Sequence, residues 1–105
     1  MKTIISLIRV TAFATFLSTI IMTDILVVDD HVLIRKGLKI LLEECPEFQV
    51  TGEADTGALA IRMLRERHFD MVLLDISLPD KHGMEVLNMI KLEHPDIKII
   101  VLSMY

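Results

Sequence analysis

Cysteine, tryptophan and the usual metal-binding histidine spacings are scarce or absent in this chain of 105 residues. Cys45 is the only cysteine, which excludes an internal disulfide and any zinc site built from several cysteines. The four histidines show no ligand spacing such as His-Glu-x-x-His. We therefore expect them to be solvated polar residues outside any site. They are His31, His68, His82 and His94.

Acidic residues are missing from the first 21 residues, where Lys2 and Arg9 are the only charged side chains. All fifteen acidic residues and nine of the eleven basic ones follow, so the rest of the chain is acidic. An acidic surface gives no electrostatic basis for direct nucleic-acid binding by this segment. The length allows one domain, over residues 22–105.

Residues 1–21 form an apolar N-terminal extension that differs in composition from residues 22–105. Three interpretations stay open: sequence translated ahead of a true start at Met22, a membrane or interfacial anchor, and a helix packed on the domain. The apolar run up to Met22 is short for a membrane span of about 20 residues, and Arg9 interrupts a longer one. Arg9 also breaks the apolar core that a signal peptide requires.

Apolar runs that end in turn residues alternate with segments of helical period after Met22. The predicted strands are Asp24–Asp29, Phe48–Gly52, Met71–Asp75 and Ile97–Ser103, with the first, third and fourth buried. Asp30 is predicted to cap the first helix. The predicted apolar helix faces are Ile34, Leu38, Leu41 and Leu42; Leu59, Ala60, Met63 and Leu64; and Met84, Leu87 and Ile90. This β-α-β-α-β-α-β alternation predicts an α/β fold, with a parallel sheet and helices on both faces.

Three aspartates end two of these apolar strands, since Asp29 and Asp30 follow the first and Asp75 follows the third. Open parallel sheets bind ligands at the carboxyl ends of strands, so the carboxylates converge if the strands are neighbours. Each pair would repel by about 4 kcal/mol at 4 Å and an effective dielectric near 20, and a divalent cation would relieve this. Oxygen ligands without nitrogen or sulfur select Mg²⁺ or Mn²⁺ over zinc. A carboxylate beside such an ion is a candidate nucleophile toward phosphoryl groups.

Each aspartate alone also fits an ordinary role as a helix cap, a strand-end acid or a loop residue. Their joint placement at strand ends favours the metal and phosphoryl site. Ser103 ends the fourth strand, so its hydroxyl would face the same crevice or serve as a capping or turn serine.

Three motifs carry a family resemblance: Ile-Leu-Val-Val-Asp29-Asp30-His31, Val-Leu-Leu-Asp75 with Pro79 and Gly83 after it, and Ile-Ile-Val-Leu-Ser103. Residues 22–105 thereby resemble the receiver domain of bacterial two-component response regulators. Asp-Asp-His and Leu-Ser-Met-Tyr resemble its NarL/FixJ-like subgroup, which carries a C-terminal helix-turn-helix DNA-binding domain. The resemblance implies a cytoplasmic regulator of transcription with a flavodoxin-like doubly wound sheet of strand order 2-1-3-4-5.

The resemblance also implies a role for each residue of the site. Asp75 would accept a phosphoryl group from a phosphohistidine on a sensor histidine kinase. Mg²⁺ would be bound by Asp30, Asp75 and the backbone carbonyl of Ser77, while Asp29 would act mostly through water. The chain would then be a phosphoacceptor module and not an enzyme.

By the same resemblance, Ser103 would be the switch hydroxyl that bonds the phosphoryl oxygen, and Pro79 and Gly83 would shape the loop after the acceptor. The family pattern continues through a fourth helix, a fifth strand that ends in a lysine, and a fifth helix. Lys81, in the loop after the acceptor, does not match that lysine. We therefore expect an incomplete sheet of four strands with impaired output and a DNA-binding domain missing downstream. The exposed sheet would favour homodimers or aggregation, unless residues 1–21 cover it.

Two other classes of function fit part of this pattern. A fragment or protein-interaction module that is never phosphorylated is the main alternative. A Mg²⁺-dependent phosphohydrolase that forms an aspartyl-phosphate would need a general acid two residues after the nucleophile. Ser77 occupies that position and is no suitable proton donor.

Overall fold

The computed structural model describes residues 22–80 and 82–102. Its strands are β1 (Thr23–Val28), β2 (Phe48–Ala54), β3 (Met71–Asp75) and β4 (Lys98–Leu102). Its helices are α1 (Val32–Leu42), α2 (Gly57–Glu66) and α3 (Gly83–Glu93). All strand pairings are parallel, in the order β2-β1-β3-β4. The predicted flavodoxin-like sheet of four strands is confirmed.

The apolar extension predicted over residues 1–21 lies outside the described residues. In the part of the chain that the structure describes, no helix is long and apolar enough to cross a membrane.

Helices cover both faces of the sheet because β1 and β3 carry uninterrupted apolar runs whose side chains alternate between the faces. One face packs against α2 and α3 through Leu26, Val28, Val72 and Leu74. The other packs against Leu38 and Leu42 of α1 through Ile25, Val27 and Leu73. Burial of each such side chain contributes about 1.5–3 kcal/mol. Packing on both faces therefore fixes β1 and β3 along their length, as far as the residues at their carboxyl ends.

Asp24 and Asp70 set the register of β1 against β3 at the amino end of the sheet. The Asp24 amide donates to Asp70 Oδ2 at 2.8 Å, and the Asp70 amide donates to the Asp24 carbonyl at 2.8 Å. In this register Val28 pairs with Leu74. The two strands therefore end level with each other at the carboxyl edge.

The prediction that β4 is a buried strand is wrong. Ile100 and Val101 are 46% and 39% exposed, and every β4 residue is exposed or half-buried. Among residues 22–80 and 82–102, β4 pairs only with β3, so no described strand covers its far edge. Helix α1 packs on β1 and β2, near the edge of the sheet that lies farthest from β4. An apolar edge is therefore exposed within the described part of the chain.

The prediction that Asp30 caps α1 is also wrong. The helix begins at Val32, with His31 at the N-cap position and no hydrogen bond from its side chain to the helix. Asp30 lies one residue too early, and its carboxylate lies beside the His31 ring instead. Leu41 departs from the predicted face as well, since it is 63% exposed. It lies about 100° around the helix from Leu42, which packs on the sheet.

The buried face of α3 differs from the predicted one. Met84, which was predicted to lie on that face, is 44% exposed. The buried residues of α3 are Gly83, Val86, Leu87 and Ile90. Gly83 lies directly against the backbone of Ile76, which turns this row inward and leaves Met84 on the outer side.

Candidate functional site

The carboxyl edge of the sheet brings Asp29, Asp30 and Asp75 together, because β1 and β3 are neighbours that end at the same level. Ligand atoms of these three residues and of His31 all lie within 4.8 Å of one another. We call these four residues the Asp-His cluster. It occupies the point where the strand order reverses, which is where open α/β sheets bind ligands.

Asp29 is held by its neighbours on both the side chain and the main chain. Its carboxylate is buried, and Oδ1 accepts from the His31 amide at 2.8 Å. The Arg35 guanidinium donates to the Asp29 carbonyl at 2.6 Å through Nη1 and to Glu53 Oε1 at 3.3 Å through Nε. Arg35 therefore links the end of β1 to the neighbouring strand β2.

Asp75 has one satisfied and one unsatisfied oxygen. The residue is 1% exposed, and Oδ1 accepts from the Ser77 amide at 3.0 Å. Oδ2 is buried and has no hydrogen-bond partner among the described residues. A buried carboxylate oxygen without a partner is costly unless a cation or a proton compensates it. The three carboxylates and this unsatisfied oxygen therefore fit a divalent cation.

His31 is solvated as predicted, with a side chain that is 57% exposed, but it lies against the carboxylates of the cluster, which was not expected. Its Nδ1 lies 2.7 Å from Asp29 Oδ1 and 3.1 Å from Asp30 Oδ1. The hydrogen bond with Asp29, followed by the charge of Asp30, raises the pKa of His31 above its ordinary value. One feature of the sequence could have identified His31 as a neighbour of the carboxylates. It directly follows the two aspartates that come after β1, and this position is more informative than the lack of a metal-ligand spacing among the histidines.

The loop after Asp75 is anchored at two points. The Gly83 amide donates to the Ile76 carbonyl at 3.1 Å, and a Cβ on Gly83 would lie 2.4 Å from both Cα and O of Ile76. Further along the loop, the Asp80 carboxylate accepts from the amides of Gly57 and Ala58 at 2.8 and 3.0 Å. The loop is thus fixed to the first turns of both α3 and α2.

Of the other residues discussed from the sequence, the structure describes Ser77 but not Ser103 or Lys81. Ser77 is exposed, and its amide holds Asp75 as described above. Ser103 and Lys81 lie outside the described residues. The predicted roles of Ser103 as a switch and of the Ser77 carbonyl as a ligand stay predictions.

Residues 25–105 match the family model of the response regulator receiver domain. The transcriptional regulatory protein YdfI of Bacillus subtilis is 39% identical over 84 residues, which cover 80% of this chain and 39% of YdfI. The response regulator UvrY of Escherichia coli is 38% identical over 84 residues, which cover 80% of this chain and 38% of UvrY. The chain spans less than half the length of either relative.

A solved structure shows the same fold. The crystal structure of a LuxR-family two-component response regulator from Aurantimonas sp. aligns with a TM-score of 0.76 at 32% identity. The alignment covers 80% of this chain and 60% of that one. The family model, the relatives' sequences and the aligned fold agree, and the chain belongs to the response regulator receiver domain family.

Proposed function

We propose that the chain is the phosphoacceptor module of a two-component phosphorelay, in which Asp75 takes a phosphoryl group from a sensor histidine kinase. The observation that carries this proposal is the buried Asp75 carboxylate, whose Oδ2 has no partner in the described ranges. Family membership and the relatives' names support it. The proposal includes a cytoplasmic location, a role as acceptor and not as enzyme, and control of transcription by the whole protein.

The transfer uses one carboxylate oxygen of Asp75 as the nucleophile. This oxygen forms a bond to phosphorus while the phosphorus–nitrogen bond of the phosphohistidine breaks. The leaving imidazole nitrogen keeps the electron pair of that bond and takes up a proton. The Ser77 amide holds Oδ1 and so orients the carboxylate, which lowers the entropic cost of reaching the attacking geometry.

Asp30 and Asp75 would hold Mg²⁺ directly, with the Ser77 carbonyl as a further ligand. When bound, the ion would neutralise the charge of the carboxylates and of the incoming phosphoryl group. Asp29 Oδ1 already accepts from the His31 amide and adjoins its ring. This engagement supports a contribution of Asp29 through water. Asp30 is partly exposed and lies 3.1 Å from His31 Nδ1, so its carboxylate would turn from that ring toward an ion.

Incubation of the full chain with Mg²⁺ and acetyl phosphate tests the proposal. We expect intact-mass spectrometry to show one added phosphoryl group on the wild type and none on Asp75→Asn. The matched control is Asp96→Asn, at an exposed aspartate before β4, which should be phosphorylated as the wild type is. Absence of phosphate from all three proteins would contradict the proposal and favour a protein-interaction module that is not phosphorylated.

A further inference from the structure

The face of the sheet that carries α1 is only half covered in the described part of the chain. Helix α1 lies over β1 and β2, whereas α2 and α3 pack on the opposite face. Leu102 of β4 belongs to the apolar cluster of the α1 face, and strand alternation places Ile100 on the same side. Ile100 is 46% exposed, although it pairs with the buried Leu73. Apolar surface of β3 and β4 therefore lies open beside α1.

A groove at the amino end of this face begins where the described chain begins. Its volume is about 590 Å³, and its lining includes Met22, Phe48 and Met71. Phe48 and Met71 pack against the same apolar cluster as Leu73. Met22 directly follows the apolar extension, so residues 1–21 join the fold at this groove. A covalently attached segment needs little intrinsic affinity to occupy such a groove, because its effective concentration there is high.

We propose that residues 10–19 of the apolar extension dock on the open β3–β4 half of the α1 face as an amphipathic helix, with residues 20–22 as the connection to β1. The docking surface consists of Met71, Ile100 and Leu102. This interaction within one chain is independent of the proposed phosphoryl transfer. It selects one of the three interpretations that the sequence leaves open for the extension.

The sequence of residues 10–19, which lie outside the described residues, separates apolar from polar side chains at the helical period. Apolar residues follow Val10 at helical spacing, at Phe13, Ala14 and Leu17. The opposite side of the same helical pattern holds hydroxyl side chains, at Thr11, Thr15, Ser18 and Thr19. A membrane span is apolar all round, and an interfacial helix carries Lys or Arg on its polar face. A one-sided pattern without charge fits a protein surface better than a lipid surface.

The length and direction of this segment match the open strands. A helix over residues 10–19 would span about 15 Å, and a strand of the length of β4 spans about 17 Å. Three extended residues reach about 10 Å, enough to lead from a helix layer to the amino end of β1. A helix joined to β1 in this way runs antiparallel to it, so Arg9 comes to the carboxyl edge of the sheet. That edge holds Asp29, Asp30 and Asp75, and the opposite charges favour this direction.

Aspartate substitutions on the two sides of the helical pattern test this inference by thermal unfolding of the full chain. We expect Leu17→Asp to lower the Tm by at least about 8 °C, because a charge replaces a docked apolar side chain. Thr15→Asp is the matched control, since it adds the same charge on the polar side. Its Tm should stay within about 3 °C of that of the wild type. Equal Tm values for Leu17→Asp and the wild type would overturn the inference.

Nuclear Overhauser contacts in the wild-type chain give a second test that depends on no variant. The aromatic protons of Phe13 should contact methyl groups of Ile100 or Leu102, and the absence of all such contacts would overturn the inference. Contacts found only between differently labelled copies would also overturn it, because the extension of a second chain would then occupy the groove. Binding of the wild type to vesicles of phosphatidylcholine and phosphatidylglycerol, with these contacts absent, would assign the extension to a membrane instead.

Discussion

The amide of Gly83 donates to the carbonyl of Ile76 at 3.1 Å, and no side chain fits between these two residues. A Cβ on Gly83 would lie 2.4 Å from Ile76 Cα. The contact closes the loop that follows Asp75 onto the first turn of α3. It therefore sets both the shape of this loop and the rotation of the helix.

Gly83→Ala is expected to lower the free energy of unfolding by about 1–3 kcal/mol, because the methyl group must displace backbone atoms. Gly37→Ala is the matched control, since a Cβ on Gly37 in α1 would meet nothing within 4 Å. This control should raise the free energy of unfolding by about 0.5–1 kcal/mol through helix propensity. Urea unfolding followed by circular dichroism measures both. Equal effects would contradict the steric role of Gly83.

Asp75→Asn is expected to abolish the stabilisation of the fold by Mg²⁺. A ligand at 100 times its Kd stabilises the folded state by about 2.7 kcal/mol. In EDTA, the Asp75→Asn variant should be at least as stable as the wild type, because the substitution removes a buried carboxylate with an unpaired oxygen. Thermal unfolding with Mg²⁺ and with EDTA tests this, with Asp96→Asn as the control. A full Mg²⁺ response in Asp75→Asn would place the ion elsewhere.

Arg35→Met is expected to cost about 1.5–3 kcal/mol of stability, the range for hydrogen bonds to charged groups, because the Asp29 carbonyl loses its donor. Arg62→Met is the matched control. Arg62 is 69% exposed and lies 3.7 Å from Glu66 on the same helix, so this change should cost less than about 0.5 kcal/mol. Chemical unfolding compares the two variants. Similar losses would mean that Arg35 does not anchor the end of β1.

The lowered pKa of Asp70 should make the free energy of unfolding depend on pH in the acidic range. Its pKa is lowered chiefly by the hydrogen bond from the Asp24 amide and also by His68, while partial burial opposes the change. The ionised form therefore stabilises the fold above the ordinary pKa of 3.8, and this contribution is lost as the pH falls through the lower folded-state pKa. We expect Asp70→Asn to be less stable near neutral pH and to lose less stability on acidification below about pH 4. Urea unfolding across this range measures the slope, and an equal slope in Asp70→Asn and the wild type would contradict this prediction.

The sheet and the three carboxylates follow from the sequence because uninterrupted apolar runs specify strands that are buried on both faces. The residue after such a run lies at the carboxyl edge, which places Asp29 and Asp75 together once β1 and β3 are adjacent. The burial of β4 does not follow in this way. The apolar character of Ile100 expresses a preference for burial, but its environment depends on which elements lie beside the strand.

Details of the site depend on backbone geometry that residue types do not report. The amide of His31 bonds to the Asp29 carboxylate and brings the ring back beside it, so an isolated histidine enters the cluster. Similarly, the periodicity of α3 identifies its apolar residues, but the contact of Gly83 with Ile76 decides that Met84 faces outward.

Asp80 gives the loop after the acceptor a second connection, to amides more than twenty residues earlier in the chain. The loop cannot open without breaking these bonds to Gly57 and Ala58. Exchange of these two amide hydrogens with solvent would therefore report loop opening at a distance from the cluster. A spectroscopic probe at the start of α2 would follow events at Asp75 without any label in the site itself.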